Sequence, residues 1–147
     1  MAEKTNKGYL TGREIRAITK ENAKITKRLE AYKNRKAEES EFLTQMQDDA
    51  NILEIEDLHT FFFTEQGGVK AVNGVSYSLG RGKTLGIVGE SGSGKSVTAY
   101  SIMQILASTG KIVSGSIKFN GEELVGAGEK VMKNIRGKKI SIIFQDP

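Results

Sequence analysis

The chain has 147 residues, a length typical of a single domain, and its 22 basic and 18 acidic residues give a formal net charge of +4. This mildly basic mixture does not indicate a nucleic-acid-binding surface, so no nucleic acid is expected as a partner. The sequence has no cysteine, which excludes disulfides, thiol nucleophiles and cysteine-based metal sites. No apolar run reaches the roughly 20 residues that cross a bilayer.

Residues 1–50 differ in composition from the rest and are predicted to form a charged helical N-terminal extension. Neither Gly nor Pro occurs from Arg13 to Ala50. Apolar residues recur at helical spacing, and polar residues interrupt them at Lys36 to Glu39. The apolar positions are Ile15, Ile18, Ile25, Leu29, Tyr32, Leu43 and Met46. Two interpretations stay open: a solvated helix, or one that docks on a partner or forms a coiled coil.

Residues 51–147 have the composition of a folded domain, which begins with an aromatic strand and a Gly-rich turn at Gln66–Gly68. The strand carries Phe61, Phe62 and Phe63. Because successive side chains of a strand point to opposite faces, the three rings cannot all face one side. Either all three pack within the sheet, or one offers a flat face on which an adenine ring stacks.

A glycine-rich loop follows, in the stretch TLGIVGESGSGKSV at residues 84–97. Its Gly89, Gly94, Lys95 and Ser96 fit the G-x-x-x-x-G-K-[ST] pattern of a phosphate-binding loop. The apolar run from Leu85 to Val88 predicts a strand buried on both faces. The absence of Gly and Pro from Lys95 to Leu106 predicts a helix with Val97, Ile102, Ile105 and Leu106 on one face.

This loop has the residue types that bind a nucleoside triphosphate. Glycines at positions 89, 92 and 94 let the backbone turn tightly and bring its N–H groups to a polyphosphate. The positive end of the following helix dipole points at the same place. Lys95 would supply charge to the β- and γ-phosphates, and the Ser96 hydroxyl would ligate Mg²⁺. A mere turn between strand and helix is the less favoured interpretation.

The other predicted elements continue the domain on both sides of the loop. They are a strand at Val69–Leu79, a strand at Ile112–Phe119, a tight turn at Asn120–Gly121, a weakly helical segment at Glu122–Arg136 and a buried strand at Ile140–Phe144. His59, the only histidine, has no evident partner. It is interpreted as a surface residue of the aromatic strand and not as a metal ligand or a base.

Residues 51–147 resemble the nucleotide-binding subunits of ABC transporters, most closely those of the oligopeptide and dipeptide importer group. The resemblance is carried by KAVNGVSY at 70–77, by GIVGES at 86–91 and by IFQDP at 143–147, in that order. It implies an α/β P-loop NTPase of ABC type, in which an antiparallel β subdomain is joined to the start of a parallel-sheet core.

The resemblance also implies roles for individual residues. Phe62 matches the aromatic position that stacks on adenine, with Phe61 and Phe63 as alternatives. Val97 stands where many relatives outside this importer group carry threonine, so that only its backbone N–H is offered to phosphate. Gln145 matches the glutamine that senses Mg²⁺ and the γ-phosphate, and Lys95 and Gln145 are the implied catalytic residues. The implied metal ligands are Ser96 and Gln145, and the implied nucleotide-binding residues are Phe62, Gly89, Glu90, Ser91, Gly92, Ser93, Gly94, Lys95, Ser96 and Val97.

The family's signature motif, Walker B carboxylates and switch histidine have no match here, so the sequence resembles the N-terminal portion of a subunit and is expected to be inactive alone. The whole subunit would hydrolyse ATP in a nucleotide-sandwich dimer with a homologous or identical subunit. It would drive integral-membrane permease subunits in peptide uptake, at the cytoplasmic face of the membrane. The alternatives are a soluble ABC ATPase without a permease and a non-catalytic nucleotide-binding fragment.

Overall fold

A computed structural model of the chain describes residues 10–145, so that residues 1–9 of the predicted extension and the last two residues of the IFQDP run lie outside the described part. The elements are α1 (Gly12–Lys33), a 3₁₀ turn (Glu39–Phe42), β1 (Asn51–Thr64), β2 (Gly67–Gly80), α2 (Lys95–Met103), β3 (Gly110–Phe119), β4 (Glu122–Glu123) and α3 (Glu129–Ile135). Within this range, no helix has both the length and the apolarity that a membrane span needs.

The four strands form one antiparallel sheet in the order β2-β1-β3-β4. The predicted strands on either side of the first turn are confirmed and pair as a hairpin, but Thr64 pairs with Gly67, so the turn is at residues 65–66 and not at Gln66–Gly68 as predicted. The predicted tight turn after β3 is also confirmed. Its residues Asn120 and Gly121 have φ values of +50° and +81°. A type I′ hairpin turn requires positive φ at both of its central residues.

The hydrophobic core lies between this sheet and helix α3. Ile55, Leu58 and Ile117 are fully buried on the sheet, and Met132 and Ile135 of α3 are buried against them. The same cluster contains Phe42, Val72, Phe119, Leu124 and Ala127. The α/β class and the antiparallel subdomain are therefore confirmed.

Helix α1 begins with a capping box and is shorter than predicted. The Thr11 hydroxyl accepts a hydrogen bond from the Glu14 N–H, and the Glu14 carboxylate accepts one from the Thr11 N–H. The helix ends at Lys33, before the polar interruption, so the prediction of one helix reaching Met46 is wrong. After the helix the chain enters the 3₁₀ turn, whose Phe42 is buried in the hydrophobic core.

The two strands predicted for a parallel core are not formed in the described part of the chain. Residues 83–90 pair with no strand, and Ile140 makes only an isolated bridge to Arg136. Val88 and Ile143 are 93% and 96% exposed, so the prediction of buried strands at Leu85–Val88 and Ile140–Phe144 is wrong for this structure. A parallel strand needs neighbours that satisfy its backbone on both sides, and none of the described strands serves as one.

Candidate phosphate-binding site

The glycine-rich loop meets the start of α2 at Gly94. Gly92 and Gly94 have φ values of +81° and +93°, a conformation that favours glycine. A Cβ at Gly94 would overlap the carbonyl oxygen of Ala71 on β2. A Cβ at Gly89 would lie 2.8 Å from the Ser93 hydroxyl. Gly94 is therefore required by the close approach of a backbone oxygen, whereas the Ser93 hydroxyl near Gly89 can rotate away.

A β-bulge explains why the Ala71 carbonyl lies at Gly94. Thr60 pairs with Val72, and the next residue, Phe61, pairs with Lys70. Ala71 is thus the extra residue of the bulge and has no partner in the ladder. The bulge places the backbone of β2 against the N-terminus of α2, and so fixes where the loop sits on the sheet.

Helix α2 begins at Lys95 without a side-chain cap. Its N-cap is Gly94, which has no side chain, so the first N–H groups of the helix are not satisfied by any capping group. The Thr98 N–H and hydroxyl both donate to the Gly94 carbonyl, at 2.8 and 3.0 Å, and close the first turn. An uncapped helix start preceded by a glycine-rich loop is suited to bind an anion.

The Lys95 ammonium is folded back over the loop. Its Nζ donates to the carbonyl oxygens of Gly89 and Glu90, at 2.8 and 2.7 Å, and lies 3.4 Å from the Ser93 hydroxyl. This contact holds a positive charge directly above the loop backbone. The residues present therefore fit a polyphosphate, because the charge and the uncapped N–H groups lie at the same loop.

The other loop residues are accessible. Residues 89–93 and Ser96 are exposed, whereas Gly94 and Lys95 are half-buried. The Ser93 N–H donates to the Glu90 carbonyl at 3.2 Å, a turn that shapes the middle of the loop. Val97 is half-buried and packs against the core, so its side chain faces away from solvent.

Two hydroxyl residues that the sequence analysis did not single out join α2 to the aromatic strand. Ser101 is fully buried and lies 2.9 Å from the hydroxyl of Thr60, which is also fully buried. The Ser101 hydroxyl also lies 2.7 Å from the Val97 carbonyl. The predicted helix is confirmed, but it ends at Met103 because Gln104 adopts a left-handed conformation with φ +50°. The sequence does contain a signal for this contact: Ser101 is a polar residue four positions after Val97, on the helix face that was predicted to be apolar.

The three phenylalanines divide between the two faces of the sheet. Phe61 and Phe63 line a small cavity with Ile25 and Arg28 of α1. Because side chains alternate along a strand, Phe62 lies on the opposite face, with Thr60 and α2. Its ring covers Gly110, where a Cβ would lie 2.8 Å from the Phe62 Cε1.

The only histidine has two polar neighbours, contrary to the expectation that it had none. The His59 Nε2 lies 3.0 Å from Asp57 Oδ1, and its Nδ1 lies 3.2 Å from Asn73 Oδ1. Within residues 10–145 it belongs to no cluster of three metal-ligating side chains. These contacts join β1 and β2 next to a β-bulge at Asp57.

Gln145 follows a segment that lies along α2. The ring of Phe144 lies 6.1 Å from that of Tyr100, one helical turn after Ser96. Gln145 is exposed, and no hydrogen bond joins it to Ser96 in the described part of the chain. The role of these two residues as metal ligands stays a prediction.

Known proteins resemble this chain in sequence. A family model described as ABC transporter matches residues 72–147. The chain is 50% identical to the oligopeptide transport ATP-binding protein OppD of Salmonella typhimurium over 109 residues, which are 74% of this chain and 32% of that protein.

Two further relatives have a similar identity to this chain over a similar length. OppD of Escherichia coli is 50% identical over 105 residues, covering 71% of this chain and 31% of that protein. The dipeptide transport ATP-binding protein DppD of Lactococcus lactis is 48% identical over 96 residues, covering 65% and 28%. The chain thus spans about a third of the length of the curated relatives it matches. Because the matched segment contains the phosphate-binding loop and more than half of the residues, the chain belongs to the ABC transporter family.

Proposed function

We propose that this chain is the nucleotide-binding part of an ATPase subunit that energises peptide uptake. The observation that carries the proposal is the position of the Lys95 ammonium, 2.8 and 2.7 Å from two carbonyl oxygens of an exposed glycine-rich loop. A cation at this place, beside an uncapped helix start, suits a ligand with several phosphate groups. Membership of the ABC transporter family favours ATP with Mg²⁺ as that ligand.

In this proposal, each part of the site has a separate task. The loop amides and the first N–H groups of α2 bind phosphate oxygens, with Gly89, Glu90, Ser91, Gly92, Ser93, Gly94, Lys95, Ser96 and Val97 contributing backbone or side-chain groups. Lys95 donates to β- and γ-phosphate oxygens, and Ser96 and Gln145 ligate Mg²⁺. Bound ATP supplies the phosphoanhydride bond whose hydrolysis drives the transport cycle. Phe62 provides the stacking face for adenine.

The geometry supports Phe62 over its two neighbours. Phe61 and Phe63 lie on the face of the sheet beside helix α1, whereas Phe62 shares with Thr60 the face that Ser101 of α2 contacts. The bulge at Ala71, opposite this part of β1, brings the strand pair into contact with the loop at Gly94. An adenine ring on Phe62 would therefore lie on the same side of the sheet as phosphates at the loop.

The transport role rests on the relatives, whose names describe ATP-binding proteins of oligopeptide and dipeptide transport. By this likeness, the partners are integral-membrane permease subunits and a second ATPase subunit, homologous or identical, in a nucleotide-sandwich dimer. The subunit would work at the cytoplasmic face of the membrane as a peripheral protein. The exposed loop is consistent with a site completed by a second subunit.

One experiment tests the transport part separately from nucleotide binding. Cells in which the gene that contains this coding sequence is disrupted should lose ATP-dependent uptake of a radiolabelled oligopeptide and regain it with the gene of the whole wild-type subunit. A Lys95→Ala gene should not restore uptake. Undiminished peptide uptake in the disrupted cells would contradict the transport role, while leaving nucleotide binding to be measured on the purified chain.

A further inference from the structure

The Arg136 guanidinium joins the end of α2 to helix α3. Its Nε donates to the Met103 carbonyl at 2.8 Å, and its Nη2 donates to the Gln104 carbonyl at 3.0 Å. The remaining nitrogen, Nη1, pairs with Glu129 Oε1 at 2.8 Å. Met103 is the last residue of α2 and Gln104 is its C-cap, so one side chain binds both carbonyls at the helix end.

This contact stabilises the end of α2 in two ways. The last carbonyls of a helix lack partners inside the helix, and a positive charge there interacts favourably with the helix dipole. A guanidinium presents its donors in a rigid planar fork, so two bonds from it fix a direction as well as a distance. The side chain of Arg136 is 23% exposed, which limits its freedom further, and Glu129 anchors its far end.

The backbone of Arg136 fixes the start of the segment that leads to Gln145. Arg136 forms a parallel bridge with Ile140, and the Gly137 N–H donates to the Ile140 carbonyl at 2.8 Å. From this turn the chain runs to Phe144, whose ring lies beside Tyr100 in the middle of α2. The segment therefore starts at the C-terminal end of α2 and advances towards the N-terminal end, where Lys95 and Ser96 lie.

We infer that Arg136 is a positioning residue for the nucleotide site. It holds two parts of the chain in one relative orientation: α2, whose N-terminus would face the phosphates of a bound nucleotide, and the segment that carries Gln145. The inference rests on the proposed function, because its consequence is the affinity for Mg-ATP. Nothing in Arg136 touches the phosphate-binding loop itself, so it acts only through the helix and the turn.

The test uses the full chain with Arg136→Met, Arg136→Lys and the control Arg35→Met. Arg35 also donates to a backbone carbonyl and a carboxylate, those of Tyr32 and Glu41, but it does not contact α2. Two quantities are measured: amide hydrogen exchange at Gln104 and Ile105 without nucleotide, and the Kd for Mg-ATP by calorimetry. Those two amides close the last turn of α2 by donating to Ser101 and Tyr100.

Arg136→Met should accelerate exchange at both amides and raise the Kd for Mg-ATP by about tenfold. Arg136→Lys should fall between wild type and Arg136→Met, because lysine can replace one bond but not the fork. Arg35→Met should match wild type in both quantities. A Kd for Arg136→Met within about twofold of wild type, or unchanged exchange, would overturn the inference.

Two further measurements separate the possible failures. If Arg136→Met does not fold, Glu129→Gln removes the anchor of the guanidinium and keeps both carbonyl bonds. That variant should show a smaller increase in exchange and in Kd, and wild-type values in both would contradict the inference. A wild-type chain that does not bind Mg-ATP contradicts the proposed function, and the exchange rates then decide whether Arg136 holds the helix.

Discussion

The side-chain amide of Asn22 donates a 2.8 Å hydrogen bond to the backbone carbonyl of Thr64, at the end of the aromatic strand. This bond and the ion pair between Glu30 and Lys111, at 3.0 Å, attach helix α1 to the sheet. No residue of α1 is fully buried, and Ile25 lies beside Phe61 and Phe63 on the same face of the sheet. The two polar contacts place the helix on the sheet of its own chain, an arrangement that neither of the interpretations left open by the sequence, a solvated helix or one that docks on a partner or forms a coiled coil, had foreseen.

Loss of this bond should release α1 from the sheet. Asn22→Ala removes the donor but keeps a good helix former, so the helix itself should persist. Because a typical hydrogen bond contributes about 1 kcal/mol, limited trypsin cleavage within α1 should be about fivefold faster than in wild type. Asn34→Ala, at the end of the same helix, is the control. Equal cleavage rates for all three chains would show that the bond does not hold the helix.

The adenine-stacking role of Phe62 has a matched control in its neighbour. Phe62→Ala should weaken Mg-ATP binding by about tenfold, because stacking of an aromatic ring on a base contributes about 1–3 kcal/mol. Phe61→Ala, on the opposite face, should leave the Kd unchanged. Neither variant should alter the binding of inorganic triphosphate, which has no base. If Phe62→Ala lost affinity equally for Mg-ATP and for inorganic triphosphate, the substitution would have damaged the loop, and this result would contradict stacking.

Glu54 is a buried carboxylate, only 2% exposed, at the start of β1. Burial alone would raise the pKa of Glu54. Hydrogen bonds from the Gln47 backbone, the Asn51 amide and the Asp48 backbone, together with the charge of Lys118, more than offset burial, so its pKa lies below the ordinary value.

This direction sets the expected pH dependence of stability. Because the folded-state pKa of Glu54 is lowered, its contribution is complete above the ordinary glutamate pKa of about 4.3 and is lost as the pH falls through the folded-state value. Glu54→Gln should lower the free energy of unfolding at neutral pH by about 2 kcal/mol. In urea titrations the variant should also lose less stability than wild type on acidification. Parallel losses with pH in both chains would contradict the assignment.

Exposed apolar side chains at Val88 and Ile143 predict self-association of the chain. Both are more than nine-tenths exposed, next to the half-exposed Ile87 and Phe144. Val88→Asp combined with Ile143→Asp should raise the fraction that elutes as a monomer in size-exclusion chromatography. Leu43→Asp, at another exposed apolar position, is the control and should have little effect. A wild-type chain that is monomeric at high concentration would refute the prediction.

Local patterns in the sequence were sufficient for some features and not for others. The turn at Asn120–Gly121 and the loop from Gly89 to Ser96 depend on neighbouring residues, so their residue types identified them. The bulge at Ala71 and the contact of Arg136 with α2 join distant parts of the chain, and no local pattern encodes them. The apolar run at Leu85–Val88 has the composition of a strand, but strand formation also needs pairing partners.

Calorimetry with Mg-ATP measures whether the Lys95 ammonium, held over the loop, binds the phosphates. Lys95→Ala should raise the Kd by about a hundredfold, corresponding to roughly 3 kcal/mol for the lost hydrogen bonds to charged phosphate oxygens. Lys83→Ala removes an exposed lysine shortly before the loop and should bind as wild type does. A Lys95→Ala chain that is folded and binds Mg-ATP with the wild-type Kd would contradict the account.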